Sequence, residues 1–373
     1  MMMNRRTCLQ FLAAAGVTVP LANPALGRAN RLYDQPRADL TPQLPRDHGP
    51  HPGFRTEWWY FTGWFNSPGL ASPLGLQITF FRSSPEVDVD NPSRFNPSQL
   101  LFAHAAVAMP SQGHLVHAQT IRRAGSGLSA IRNTPAKVLD LQMPGWTLSS
   151  QNGDAWQCHI QAQEMSLMLQ MAQTQTPWFQ GNNGYSRKGP GETQSSYYIT
   201  LPHLKSSGTV QVDGKTLPVE GSFWMDHEWS STVLAPDAQG WDWVGLQGTA
   251  GESLMAFQIR PKPVPGKMVK PIWTHAALRN AQGQVHTFNT VEFQTLQSWT
   301  SPRTGVVYPV EQVLILDRQR FHVKPMMPDQ ELDARTSTGT LYWEGAVTVE
   351  TTGRQRWGHG YLEMTGYDRP MTL

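Results

Sequence analysis

The chain has 373 residues, with Lys+Arg 30 against Asp+Glu 28 and a formal net charge of +2. That near-neutral balance leaves no electrostatic footprint for nucleic acid or for an acidic membrane surface. Gly (32) and Pro (29) are abundant and long helical periodicity is scarce, which points to a β-rich fold in a chain long enough for two cores.

The N-terminus reads as an export signal. Arg5 and Arg6 precede a short apolar run, Leu9 to Val17, that is too short and too rich in Ala and Gly to anchor in a bilayer. Small residues around Ala25-Leu26-Gly27 and Gly27-Arg28-Ala29 suit a signal peptidase. Asn4-Arg5-Arg6-Thr7-Cys8-Leu9-Gln10 resembles the twin-arginine motif, with Cys8 and Gln10 where Phe and Lys are common. An ordinary Sec signal that carries two arginines is the competing reading. Removing residues 1–29 takes three arginines and no acid, leaving a formal charge of −1. Only Cys158 then remains, so no internal disulfide is expected. No second segment approaches transmembrane length, and a periplasmic or secreted location without an anchor follows.

Beyond the signal, short apolar and β-branched runs alternate with turn residues. Strands are expected over Trp58–Phe65, Leu74–Phe81, Leu101–Met109, Ser166–Met171, Tyr197–Leu201, Gly208–Val212 and Ser222–Met225. Further ones are expected over Trp241–Gln247, Ser253–Ile259, Thr274–Leu278, Gly305–Val310, Gln312–Leu316, Gly339–Val349 and His359–Thr365. Asp213-Gly214 signals a tight hairpin turn. Pro85–Pro97 and Asn182–Glu192 read as loops.

An internal echo runs through these strands. Glu57-Trp58 precedes Glu228-Trp229, and His104-Ala105-Ala106 precedes His275-Ala276-Ala277, at one lag. The run Ile78 to Arg82 has a counterpart in Met255 to Arg260. The series suggests a duplication and an all-β fold of two packed antiparallel barrels or sandwiches, residues 30–216 and 217–373. It also predicts that Glu57 superposes on Glu228 and His104 on His275.

Three clusters carry candidate chemistry: Glu57-Trp58-Trp59-Tyr60-Phe61-Thr62-Gly63, Trp224 to Ser231 with Trp241-Asp242-Trp243, and Gly358 to Tyr367. On a strand, Asp226 and Glu228 share one face while His227 and Trp229 share the other. An acid facing an aromatic-lined barrel lumen is desolvated, so its pKa rises and it suits general acid work near neutral pH. Trp and Tyr faces hold an apolar chain and stabilise a cation by about 0.5–2 kcal/mol per contact. These are the needs of a hydratase that protonates an alkene and adds water. Asp226 or Glu228 would donate the proton and His227 would orient water. Trp229, Trp58 and Tyr198 would flank the cation, with Glu57 and Glu363 as reserve acids. Trp59, Trp241, Trp243 and Tyr361 complete the candidate ligand wall. Core packing is the plain alternative for these aromatics, and structural ion pairs with Arg82 or Arg260 for the acids. Neighbours on a strand make poor joint ligands, so no metal or cofactor is expected at Asp226-His227-Glu228. Ser230-Ser231 lacks the glycines of a nucleophile elbow, and Cys158 sits in an ordinary amphipathic stretch, Trp156–Ile160.

Together the stretch Tyr33 to Pro36, His48-Gly49-Pro50-His51-Pro52, the Glu57 to Gly63 block, Phe102-Ala103-His104, Trp224-Met225-Asp226-His227-Glu228-Trp229 and Gly360 to Tyr367 resemble the AttH-type secreted proteins. That family is related to the carotenoid 1,2-hydratases (hydroxyneurosporene synthases). The resemblance covers nearly all of the exported chain. It implies two lipocalin-like β-barrels and cofactor-free hydration of a terminal isoprenoid double bond, with His227 and Trp229 matching residues implicated there. The hydratases also use a Tyr-x-Asp element on a following strand; the corresponding stretch here reads Leu254-Met255-Ala256 and lacks that acid. The ligand implied is an elongated apolar isoprenoid or lipid. The alternative is a non-enzymatic lipid carrier or an accessory protein of a membrane ABC-type transporter.

Overall fold

The computed structural model describes residues 33–86, 97–125, 127–266 and 269–371. The segment expected to be an export signal and most of the loop expected over Pro85–Pro97 lie outside the described residues. Among the described residues the chain is antiparallel sheet, with a single 3-10 turn at Arg46–His48 and no α-helix. No helix there is long and apolar enough to cross a membrane.

The first sheet contains β1 (Thr56–Asn66), β2 (Leu74–Ser83), β3 (Leu100–Ala108), β4 (Leu115–Arg123), β5 (Ala130–Thr134), β6 (Lys137–Met143), β7 (Trp146–Ser150), β8 (Ala155–Gln161), β9 (Met165–Gln173), β10 (Trp178–Phe179), β11 (Tyr185–Arg187), β12 (Ser195–Val212) and β13 (Lys215–Thr232). Their order is β4-β3-β2-β1-β13-β12-β9-β8-β7-β6-β5, with β10 and β11 laid on β12. The second sheet contains β14 (Ala238–Gly248), β15 (Ser253–Pro261), β16 (Trp273–Arg279), β17 (Val285–Thr287), β18 (Val291–Thr300), β19 (Val307–Leu316), β20 (Gln319–Pro325), β21 (Glu331–Ala334), β22 (Thr340–Thr351) and β23 (Gln355–Thr365). Its order is β17-β16-β15-β14-β23-β22-β20-β19-β18, with β21 on β22. The all-β, two-lobed lipocalin-like architecture expected from the sequence is thus present.

Period-two alternation builds these strands. Along β8 every second residue is buried, with Trp156, Cys158 and Ile160 inward. The two longest strands, β12 and β13, are joined at Asp213-Gly214, where φ is +54° and +71°. Those are the two positive angles of a type I′ hairpin turn, which Asp and Gly tolerate. The hollow of the first sheet is packed with Trp59, Phe61, Trp156, Leu169, Phe223 and Met225. That of the second holds Val244, Leu246, Leu314, Val323, Trp343 and Leu362. Both hollows are therefore filled, against the expectation of a ligand-binding lumen. A third apolar cluster, including Tyr60, Tyr198, Trp224, Trp243, Phe257 and Tyr361, joins the sheets to each other.

Two expectations change. β13 hydrogen-bonds into the first sheet along its whole length, between β12 and β1. The change from one sheet to the next thus falls after Thr232, not at 216/217. Glu57 and Glu228 are not equivalents either: β1 and β13 are neighbours in one sheet, pairing Glu57 with Trp229 and Trp58 with Glu228. His104 and His275 do correspond, each on the third strand of the matching runs β1-β2-β3 and β14-β15-β16.

The sheets approach closely at Gly75 of β2. A Cβ there would lie 2.5 Å from the Tyr361 hydroxyl and 2.7 Å from the Ala346 Cβ, both of the second sheet. Gly75→Val should force them apart and cost about 1–3 kcal/mol, the usual range for overpacking. Thermal unfolding would show this as a lowered Tm, accompanied by increased binding of a hydrophobic dye.

Candidate functional site

Alternation gives β1 and β13 two unlike faces. Trp59, Phe61, Phe223 and Met225 go to the hollow of the first sheet, while Trp58, Tyr60 and Trp224 meet the second sheet. Direct pairing then lines up Trp58, Glu228 and Tyr198 in one row, and Tyr60, Asp226 and Thr200 in the next. Opposite them, β14, β23 and β22 line up Trp243, Glu363 and Glu344. A cavity of about 220 Å³ lies between the sheets and is lined by all of these except Thr200. Trp241, Phe257, Ile259, Tyr342 and Lys188 extend the lining.

Four carboxyl groups face this space, in three different environments. Asp226 is 3 % exposed. Its Oδ2 lies 2.7 Å from the Tyr198 hydroxyl and its Oδ1 2.6 Å from that of Thr200. Burial pushes its pKa up to about 7, despite the lowering effect of those hydrogen bonds. Two residues along the same strand, Glu228 is ion-paired with the Lys188 ammonium at 2.6 Å. That ammonium is sandwiched between the rings of Tyr198 (4.4 Å) and Phe257 (4.5 Å). Glu344 and Glu363 are direct cross-strand partners, an arrangement in which two carboxylates repel. Burial and the neighbouring Glu363 hold Glu344 protonated well above the usual range, with Tyr60 donating to its Oε2 at 2.6 Å. Burial pushes Glu363 up to about 8, with Asp226 and Glu228 adding to the effect.

On the reverse face of β1 and β13 lies a separate ionic cluster. Glu57, fully buried, receives Arg82 Nε at Oε2 (2.8 Å) and meets His227 Nε2 (2.9 Å) and His51 Nδ1 (2.7 Å) at Oε1. Burial favours the neutral acid, but the charges of His51 and Arg82 and the hydrogen bonds from both histidines win. The Glu57 pKa falls well below the usual range. Arg82 also donates to the carbonyls of His51 and Phe54, which pins the segment before β1 across the end of the first sheet. His51 stacks on Trp229 at 3.8 Å and His227 on Trp59 at 4.5 Å. The ligand atoms of His51, Glu57 and His227 lie within 4.8 Å of one another. The carboxylate between them is already taken up by Arg82 and two imidazoles, so an added cation would face a guanidinium.

The structure therefore divides the residues singled out in the sequence. Asp226, Glu228, Trp58, Tyr198, Trp241, Trp243 and Glu363 come together at the cavity. His227, Trp59 and Trp229 belong to the reverse face; Glu57 lies along the cavity lining, but its carboxylate is committed to the reverse-face cluster. His227 thus does not line the cavity with Asp226, because adjacent strand residues point oppositely. Tyr361 packs in the inter-sheet cluster, its hydroxyl buried without a partner. Sequence reasoning missed Glu344 and Lys188. The run Tyr342-Trp343-Glu344-Gly345 repeats the aromatic-acid pattern of the other clusters and was a legible signal. Lys188 lies in a Gly-rich loop and gave none.

Glu363 also links the site to stability. Its pKa is raised in the folded state, so its stabilising contribution is complete below the ordinary glutamate value of 4.5 and is lost as pH rises through about 8. Glu363→Gln should accordingly match the parent near pH ~5 and exceed it in Tm near pH ~9 by several degrees. Calorimetry across that window checks the sign, and a Tm gap independent of pH would contradict it.

No curated protein matches the sequence. A crystal structure from Nitrosomonas europaea, of a protein provisionally named AttH, is 41% identical with TM-score 0.82 and covers 90% of this chain and 99% of that one. Kievitone hydratase from Nectria haematococca shares the fold at 15% identity and TM-score 0.66, covering 91% of this chain and 98% of that one. CghA with Sch210972 shares it at 13% identity and TM-score 0.55, covering 91% and 96%. The AttH-like family model matches residues 35–367, and with that span and the close structural relative the chain belongs to the AttH-like family.

Proposed function

We propose that the inter-sheet cavity binds an apolar, alkene-bearing ligand of isoprenoid type and adds water across its C=C bond without a cofactor. One observation carries this reading. Asp226, buried and half protonated near neutral pH, stands in an aromatic-walled cavity two residues from an ion-paired Glu228. A protonated acid next to an ionised one is the pairing that general acid–base addition requires. In the forward step the Asp226 proton forms a C–H bond with the alkene π pair, leaving a carbocation. The faces of Trp58 and Tyr60 stabilise it by about 0.5–2 kcal/mol each. Water then forms the C–O bond and its surplus proton passes to Glu228. Solvent exchange returns both carboxyls to their starting states. The fold neighbour named as a hydratase supports testing addition of water first. A cavity of about 220 Å³ suits the reacting end of a long ligand or a compact one.

Incubation with acyclic carotenoids and shorter isoprenoids in heavy-oxygen water should place the label in an alcohol product. Asp226→Asn should lower the rate about 10²–10⁴-fold. Since the acid must be protonated, kcat/KM should fall as pH rises through about 7. Tight binding with no label in any product would instead identify a carrier, and the same carboxyl substitutions would then leave affinity intact.

We also propose export by the twin-arginine route, on the strength of Arg5-Arg6 ahead of the short apolar run. Changing both to Lys should retain the chain in the cytoplasm at its full length. Processing to a start near residue 28 or 30 in the double variant would point to Sec.

A further inference from the structure

The hydrogen bonds around Asp226 have a direction. Trp243 Nε1 donates to the Tyr198 hydroxyl oxygen at 3.0 Å, and that hydroxyl lies 2.7 Å from Asp226 Oδ2. An indole nitrogen can only donate. With one phenolic lone pair taken by the indole, the phenolic hydrogen is left to donate to Asp226. The second carboxyl oxygen is treated alike. Thr200 Oγ1 receives Gln180 Nε2 at 3.0 Å and stands 2.6 Å from Oδ1. Both wall hydroxyls direct their hydrogens at Asp226. A proton carried by Asp226 therefore has its open side toward the cavity that Asp226 lines.

The donor that sets this direction comes from the other lobe. Trp243 is on β14 of the second sheet, whereas Tyr198 and Asp226 are on β12 and β13 of the first. We propose that Trp243 is a positioning residue acting through Tyr198: its indole N–H fixes Tyr198 as a donor to Asp226 and so aims the Asp226 proton at the occupant of the cavity. The proposal rests on Asp226 being the acid of the reaction described above, yet the hydrogen-bond direction can be read with no substrate present. It also makes docking of the two sheets a condition for aiming the proton, beyond merely enclosing the ligand.

The test uses pH-difference infrared spectroscopy of the exported chain, with the Asp226 carboxyl band assigned by its loss in Asp226→Asn. Trp243→Phe keeps an aromatic wall but frees the phenolic lone pair. Protonated Asp226 then gains an acceptor in Tyr198, and its midpoint should rise by about one pH unit, the worth of one hydrogen bond to a charged group. In a Tyr198→Phe background the same Trp243 substitution should leave the midpoint where it is. An unchanged midpoint in Trp243→Phe, or an undiminished shift in the double variant, would overturn the proposal. A second measurement needs no change at Trp243. The indole ¹⁵N–H resonance of Trp243 should move with the Asp226 titration in the parent and cease to move in Tyr198→Phe; movement that persists there counts against the relay. With an acyclic isoprenoid alkene as probe, Trp243→Phe should lower kcat about tenfold at constant KM. An equal loss carried by KM would mark Trp243 as a wall contact only. Should the parent hydrate no isoprenoid, the proposed reaction falls while the infrared titration still decides the relay.

Discussion

Glu57 sits with no solvent contact, its carboxylate shared among Arg82, His51 and His227. Breaking a buried ion pair by removing one partner costs about 3–5 kcal/mol, because a charge is left without compensation. The pairing of β1, β2 and β13 is thereby tied to one register, with Glu57 opposite Arg82 on one side and Trp229 on the other. A slip of one residue would turn every side chain to the opposite face. It would carry Glu57 into the cleft and Asp226 into the packed hollow. The cluster on the reverse face is therefore what delivers Asp226, Glu228, Trp58 and Tyr60 to the inter-sheet cavity.

Within one sheet, acids of the same chemistry end with opposite proton affinities. Glu57 has a guanidinium at 2.8 Å and stays ionised, its pKa held well below normal. Asp226 has hydroxyl donors but, among the described residues, no cation within bonding distance, and burial takes it up to about 7. Both are enclosed, so burial alone does not separate them; the position of the nearest cation does. Lys188 makes the same distinction inside the cavity, pairing with Glu228 and leaving Asp226 to hydroxyls. This is an arrangement that stores a proton at neutral pH and an ionised acid within one strand turn of it. It costs stability at high pH, which is how a site differs from a core.

Much of the fold was legible because half-buried strands write a period of two into the sequence. The Glu57 to Gly63 and Trp224 to Trp229 runs fall within β1 and β13, and the Asp213-Gly214 turn is where its chemistry requires. Strands β5 to β8 escaped notice because their outer faces carry Ser, Gln, Arg and Asn between the buried apolar residues, so their local composition resembles loop. The division of Asp226 and Glu228 from His227 also followed from alternation alone. Which of the two faces held the cavity did not follow. That depends on the second sheet packing against the outer face of the first, a long-range fact with no local signature. The expectation of a lumen site consequently grouped His227, Trp59 and Trp229 with Asp226, when they are packing on the reverse face from the cavity.

The repeat is real, but one of its anchors was a coincidence. Strand order runs β4-β3-β2-β1-β13-β12 in one sheet and β17-β16-β15-β14-β23-β22 in the other. Reading across the registers, His104, Thr79, Tyr60, Asp226 and Thr200 form one row. His275, Phe257, Trp243, Glu363 and Glu344 form its counterpart. His104 and His275 coincide, as do Arg82 and Arg260, each three residues beyond the row. Trp58 coincides with Trp241. Glu57 falls on Gly240, and Arg260 takes Asp242 as its partner instead, at 3.1 Å. The Glu-Trp match at Glu228 crosses between strands of different rank and carries no structural equivalence. With the registers corrected, Asp226 and Glu363 occupy the same place in the two lobes, and burial raises the proton affinity of each, with no ion-pair partner for either among the described residues. Two equivalent surfaces packed face to face bring two such acids to one cavity. The two halves of the site are chemically unlike because Thr200 stands where the other sheet has Glu344, and Tyr60 where it has Trp243.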